Sequence, residues 1–228
     1  MIIAIEGLDA SGKATQAAAV AAALKPSTVI SFPRYGGPFG VAILEHLRGE
    51  LVLCKRDKET GALSTSPDDA VAFQSFMTMD KYDAASEIKA LDRKGQFVVL
   101  DRYWPSACCY GADDGLDFGS MLRINSRLPP ADLYVLLDIS VERTTARRPE
   151  ARDRYERDKE KLSRIRDRYL YMWQLMLDSE VPPLKSTWVV LNGYEEPSVI
   201  TTKILSELDK IVEFRRHMSA LSGSNVWD

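Results

Sequence analysis

Short apolar runs alternate along the chain with longer stretches whose apolar residues recur at helical spacing. "MIIAIE" (1–6) has the continuous apolar character of a strand buried on both faces, as in a parallel sheet. "STVISF" (27–32), "QFVVLD" (96–101), "DLYVLLD" (132–138) and "STWVVLN" (186–192) read the same way, and Pro33 ends the second because proline cannot donate to a ladder. "KATQAAAVAAAL" and "FGVAILEHLRGE" read as helices. From Pro67 to about Leu91 the residues Val71, Phe73, Phe76, Met77, Met79 and Ala84 mark a long central helix. Helical patterns also fill 118–127, 140–148, 154–179 and 197–215. Strands alternating with helices predict an α/β fold, a parallel five-stranded sheet with helices on both faces. Residues 54–66 are polar and read as a loop insertion. No internal repeat is visible. One domain is expected over 1–215, with a small, polar tail over 216–228 that is expected to be mobile.

Composition changes this picture little. In 228 residues, 45% are hydrophobic and 28% charged, which is ordinary for a globular chain, and the net charge of −3 offers no general surface for nucleic acid. Nothing approaches the roughly 20 apolar residues a membrane span needs. "MIIAIEG" stops at Glu6, too soon for a signal core. Cys54, Cys108 and Cys109 give no disulfide framework and suit a reducing compartment, so a cytoplasmic protein is expected. The adjacent Cys108 and Cys109 have no zinc-ligand spacing and read as core packing near a helix start. His46 and His217 suggest no catalytic histidine.

The chemistry begins at "IEGLDASGKATQ" (5–16). Gly7, four residues, Gly12 and Lys13 follow a strand and open a helix, which is the context of a phosphate-binding loop. Its glycines permit a tight turn, and its N–H groups and the positive end of the helix face phosphate oxygens. Gly7, Asp9, Ala10, Ser11, Gly12, Lys13, Ala14 and Thr15 are the expected ATP-binding residues, with Lys13 between the β and γ phosphates. The usual hydroxyl after the lysine is replaced by Ala14. Thr15 lies about 100° further round the helix and does not replace it. Magnesium keeps several waters and needs few protein ligands, so Asp101 at a strand end and Asp9 in the loop are the candidate metal carboxylates.

"DRYWPS" (101–106) and "FPRYG" (32–36) end two further strands, where ligands of open α/β sheets gather. They bring Arg102 and Arg34 toward one crevice, and two guanidinium groups beside a phosphate-binding loop suit a second phosphate. Each arginine alone would read as a surface ion pair.

At these residues the chain resembles the thymidylate kinases. "IEGLDASGK", "FPRYG", "DRYWPS", "PADLYVLLDIS" and "ARDRYERD" occur in family order at family-like distances, from Met1 to roughly Val212. The resemblance implies a homodimeric P-loop nucleoside monophosphate kinase with a short lid. It would move the γ-phosphoryl group of ATP to dTMP, with Mg2+, giving dTDP and ADP for dTTP synthesis. It also implies that Arg34 and Arg102 hold or organise the acceptor phosphate, with Pro33, Tyr35 and Ser106 beside them. Asp9 would lie near the acceptor sugar and phosphate, and Tyr110 under the deoxyribose. The lid falls at about 143–157, "RTTARRPEARDRYER". Without an arginine in the loop itself, Arg147, Arg148 or Arg152 is expected over the transferring group, and Tyr155 and Glu156 on the substrate side. The plain alternative for this segment is a solvated, salt-bridged helix.

Base recognition departs from the family pattern. In "FQSFMTMDKY" (73–82) Lys81 stands where arginine is usual and Met77 where an aromatic ring is usual; Phe76 is one residue away. Phe73, Met77 and Lys81 share a helix face at i, i+4 and i+8. Phe73, Phe76 and Met77 also suit plain core. Ala107 stands where a polar partner is common. The acceptor is therefore dTMP or another or 5-modified pyrimidine deoxynucleoside monophosphate. A nucleotide-binding protein without catalysis is the rival that Ala14 motivates.

Overall fold

The computed structural model describes residues 1–51, 67–147, 158–177 and 186–222. Five parallel strands form one sheet in the order β2-β3-β1-β4-β5. They are β1 (Ile2–Gly7), β2 (Ser27–Ser31), β3 (Phe97–Asp101), β4 (Leu133–Asp138) and β5 (Thr187–Asn192). Eight helices accompany them among the described residues: α1 (Lys13–Ala23), α2 (Gly40–Arg48), α3 (Pro67–Arg93), α4 (Trp104–Asp113), α5 (Phe118–Asn125), α6 (Val141–Arg147), α7 (Lys159–Leu177) and α8 (Pro197–Ser222).

The strands are apolar throughout because both faces are covered, and successive side chains serve opposite faces. Ile2, Ala4, Val98, Leu100, Tyr134 and Trp188 enter a core with α3, α4 and α7. Ile3, Ile5, Val99, Leu133 and Val135 enter a second core with α1 and α8. On the first face the Tyr134 and Trp188 rings stack at 4.1 Å, and Trp104 meets both edge-on while its indole N–H donates to the Tyr134 hydroxyl at 2.7 Å.

Pairing of Ile5 with Asp101, Ser31 with Asp101, and Gly7 with Leu137 brings the carboxyl ends of β1, β2, β3 and β4 to one edge of the sheet. The chain leaves β1 toward β2 and β3 and later crosses to β4 and β5. A crevice therefore opens beside the tip of β1.

Every expected strand is present, within one residue at each end. Helix α4 appeared in the sequence only as a helix start. Its residues are buried on nearly every side, apart from Tyr110 and Asp113, so no amphipathic period marks it, and Gly111 and Pro105 look like loop residues. Cys108 and Cys109 are free thiols buried inside it. Helix α8 runs to Ser222, into the segment expected as a tail. The expected insertion at 54–66, with Cys54, lies outside the described residues.

Candidate active site

The loop from Gly7 to Lys13 turns on three left-handed residues. Gly7 has φ +141°, Ala10 +58° and Gly12 +104°. A Cβ on Gly7 would lie 2.7 Å from the Leu137 carbonyl oxygen and 2.9 Å from Ser11 Oγ, so only glycine fits between β1 and β4. Gly12 caps α1 and directs the helix N-terminus into the crevice. The buried Lys13 ammonium donates to the Leu8 carbonyl at 2.6 Å. Burial and the nearby charge of Arg102 push it down to about 8, against the pull of Asp9 and Asp101.

A cavity of about 560 Å³ lies over this loop and is lined by Asp9 through Gln16, with Asp101 and Arg102 from β3 and its tip. The roof is Arg147, whose Nη1 donates to the carbonyls of Ala10 (3.3 Å) and Ser11 (3.4 Å) and whose Nη2 donates to the Gly193 carbonyl at 2.9 Å. Of the three lid arginines expected over the site, Arg147 is therefore placed on the loop. Arg148 and Arg152, with Tyr155 and Glu156, lie outside the described residues. Beyond β5, Gly193, Glu195, Pro197 and Ile200 close the far wall. Gln16 fixes that wall to α1: its amide donates to the Pro197 carbonyl at 2.9 Å and accepts from the Thr201 hydroxyl at 2.8 Å. These wall residues carry no motif, and nothing in the sequence singled them out.

Asp101 fits a magnesium site. Its Oδ1 is buried, lines the cavity and has no hydrogen-bond partner among the described residues. No group of three metal-ligating side chains occurs among those residues. A lone carboxylate beside a phosphate-binding loop is the donor set that suits a cation held mainly by phosphate oxygens and water.

Arg102 has φ +65°, rare for a residue with a side chain, and the strain of order 1 kcal/mol is held by its contacts. Its backbone N–H donates to the Ile5 carbonyl at 3.0 Å. Its guanidinium donates to Asp9 Oδ1 at 2.7 Å, to the Gly7 carbonyl at 3.2 Å and to Ser106 Oγ at 3.3 Å, and lies 5.4 Å from the Tyr110 ring centre. The Tyr110 hydroxyl donates to the other Asp9 oxygen at 3.3 Å. Burial alone would raise the Asp9 carboxyl, but the charges of Arg102 and Lys13 outweigh it and hold it well below the usual carboxylate range.

A second, narrower cavity of about 90 Å³ lies on the other side of this pair. Asp9 and Arg102 line both cavities. Pro33 and Tyr35, Phe73 and Met77, and Ser106 and Tyr110 line the second, as expected of acceptor-side residues; Leu47, Gln74 and Ala107 complete it. Three expected residues stand apart from it. Arg34 turns to Asp80, donating from its backbone N–H and Nε at 2.9 Å, and pairs with Asp83, so its guanidinium fastens the "FPRY" turn to α3. Phe76 packs near Phe39 at 6.5 Å in the core. Lys81 is 1% exposed and its ammonium donates to the Met77 carbonyl at 2.8 Å, because its helix face turns inward one turn beyond Met77.

Behind Arg102 lies Glu6, a residue that the sequence offered only as the end of an apolar run. Its carboxylate accepts from the Tyr103 N–H (2.7 Å), the Ser106 hydroxyl (2.7 Å) and the Tyr169 hydroxyl (3.1 Å). Burial pushes this carboxyl up, against those donors and the Arg102 charge.

Comparison with known proteins points to one family. The thymidylate kinase family profile matches residues 5–181. A probable thymidylate kinase of Pyrobaculum calidifontis is 34% identical over 173 residues, covering 75% of this chain and 81% of the relative. A thymidylate kinase of Xylella fastidiosa is 31% identical over 143 residues, 61% of each chain. The solved thymidylate kinase of Candida albicans has a TM-score of 0.73 against this structure, over 92% of both chains at 25% identity.

Proposed function

The chain belongs to the thymidylate kinase family, and from that premise we propose that its two cavities hold ATP and dTMP head to head across the Asp9–Arg102 pair. The observation that carries this reading is that pair lining both cavities. ATP occupies the loop cavity, its phosphates on the loop N–H groups, Lys13 and the N-terminus of α1. The dTMP phosphate meets Arg102, which exchanges its contact with Asp9 for the acceptor oxygens. Arg34 acts indirectly, by holding the turn that carries Pro33 and Tyr35. The second cavity is small for a nucleotide, so its walls part as the acceptor enters.

The attacking atom is a phosphate oxygen that is already anionic, so no general base is needed. The γ-phosphoryl group passes in line from the ADP oxygen to the dTMP oxygen, giving ADP and dTDP. Charge spread over the transferring oxygens is met by Lys13, Arg102 and Arg147. Asp101 is the carboxylate that would hold Mg2+, with Asp9 the second candidate; bound there, the cation would neutralise phosphate charge. The side chain of Ala14 gives it no ligand.

We also read the enzyme as a cytoplasmic homodimer. No helix among the described residues is long and apolar enough to cross a membrane. Val71, Met79 and Tyr82 of α3 and Ile124 of α5 are exposed along one apolar groove that suits a second copy, which light scattering tests.

The test of the reaction is ADP release measured with dTMP, dUMP, dCMP and dGMP while magnesium is varied. Acceptor-dependent release that is greatest with dTMP, and abolished by Lys13→Ala or Arg102→Ala in folded protein, is expected. ATP binding with no acceptor-dependent release would refute it.

A further inference from the structure

The acceptor cavity contains a polar group that neither the loop chemistry nor the arginines use. Gln74 lies in the first turns of α3, between Phe73 and the following Met77, and is 3% exposed. Its Oε1 is buried and has no hydrogen-bond partner among the described residues. Buried amide oxygens are rarely left so, because the desolvation is uncompensated. Two other uncharged donors of this cavity are engaged: Ser106 donates to Glu6, and Tyr110 to Asp9. The two residues best placed by sequence to read a base are not available for it. Lys81 is turned onto the Met77 carbonyl, and Ala107 has no polar side chain. Opposite Gln74 stands Gly111, where a Cβ would lie 3.4 Å from Gln74 Cγ, so α4 leaves room for the amide.

We propose that Gln74 is the specificity-determining residue of the acceptor site, accepting the N3–H of a thymine or uracil base at Oε1 while its amide N–H2 faces O4. The inference rests on the reading of this cavity as the acceptor site. With the phosphate on Arg102, the base falls among Phe73, Met77 and Ala107, an apolar surround in which a single amide decides orientation. A uracil-type edge presents a donor at N3 beside an acceptor at O4, and a primary amide matches both. Cytosine presents an acceptor at N3, which would set lone pair against lone pair at Oε1.

The test is steady-state kinetics of wild type and Gln74→Leu with dTMP and with N3-methyl-dTMP, which keeps the phosphate, sugar and ring but lacks the N3 hydrogen. Leucine is close in volume, so the variant is expected to fold. Wild type should use dTMP at least about tenfold better than the methylated analogue, the difference lying mainly in KM. Gln74→Leu should lower kcat/KM for dTMP about tenfold and leave the analogue within about twofold, collapsing the ratio. A ratio unchanged by the substitution, or wild type using both substrates equally, overturns the inference while leaving the kinase reading intact. Wild type releasing no ADP with dTMP overturns both.

Discussion

Lys81 gives a stability effect whose sign and size follow from its burial. Its side chain is 1% exposed, and desolvation pushes the ammonium from its ordinary 10.5 down to about 8, against the pull of Asp80 and Glu6 and with some help from the charge of Arg102. The folded protein therefore releases this proton near pH 8 and the unfolded chain releases it near 10.5. Between those limits the unfolded chain binds more protons, so the contribution of Lys81 to stability rises with pH. At about 1.4 kcal/mol per pH unit, the whole window is worth about 3 kcal/mol, most of which is reached by pH 10. Lys13, also near 8, adds a rise of the same sign, while the raised thiol of Cys108 and the raised phenol of Tyr103 act in the opposite sense.

All of those groups are present in Lys81→Met, so the difference between the two proteins isolates Lys81. Urea unfolding from pH 7 to pH 10 should show wild type gaining about 2–3 kcal/mol on the variant. Parallel curves would mean that the ammonium is solvated or fully compensated, and the burial argument would fail. The same variant should keep its KM for dTMP within about twofold, since the ammonium is spent on the Met77 carbonyl. A tenfold rise in KM would put Lys81 back on the base.

Arg147→Ala removes charge-assisted bonds to Ala10, Ser11 and Gly193 and should lower kcat/KM for ATP by about ten- to a hundredfold; an unchanged value in the ADP assay would assign the roof to another arginine. Ala14→Thr supplies the absent hydroxyl and should lower the magnesium concentration for half-maximal rate severalfold; a metal titration giving the wild-type midpoint would show that the hydroxyl does not reach the cation. Glu6→Gln exchanges an acceptor of three bonds for a group whose amide nitrogen cannot accept, and should cost about 1–3 kcal/mol and reduce kcat. Denaturation together with single-turnover kinetics checks this, and a destabilised variant with wild-type kcat would limit Glu6 to a structural role.

The sheet was readable because parallel strands buried on both faces are continuous apolar runs, and the phosphate loop because its backbone demands fixed glycines. Arg102 was readable for a similar reason: it ends a strand. What the sequence could not show depends on helix rotation. Phe73, Met77 and Lys81 share a face by spacing, yet the cavity meets that face only at its first two members, and Gln74, one position off the stripe, lines it as well. Arg34 was legible as a strand-tip cation, but its carboxylate partners are 46 and 49 residues away on α3. The far wall at Gly193, Glu195 and Pro197 is made of backbone and shape, which leave no chemical signature in a sequence.

The strand-tip site is not simply a basic cleft. Each cation in or beside it is already engaged: Arg102 with Asp9, Arg34, outside both cavities, with Asp80 and Asp83, Lys13 with a carbonyl and Arg147 with three. A guanidinium as largely buried as that of Arg102 would be costly without partners, and a long cationic side chain without partners would also be poorly ordered. Carboxylates solve both problems for two of them, Asp9 holding Arg102 between the two cavities and Asp80 and Asp83 holding Arg34 on its turn, while backbone carbonyls hold Lys13 and Arg147. Glu6 extends the same frame inward. It joins β1, the flank of Arg102 on α4, and Tyr169 on α7, which is itself tied to α4 through Arg164 and Asp113 and to the tip of β4 through Arg166 and Asp138. Positioning of that kind is what phosphoryl transfer chiefly asks of a protein, since the reaction needs aligned oxygens and well-placed charge more than it needs proton chemistry.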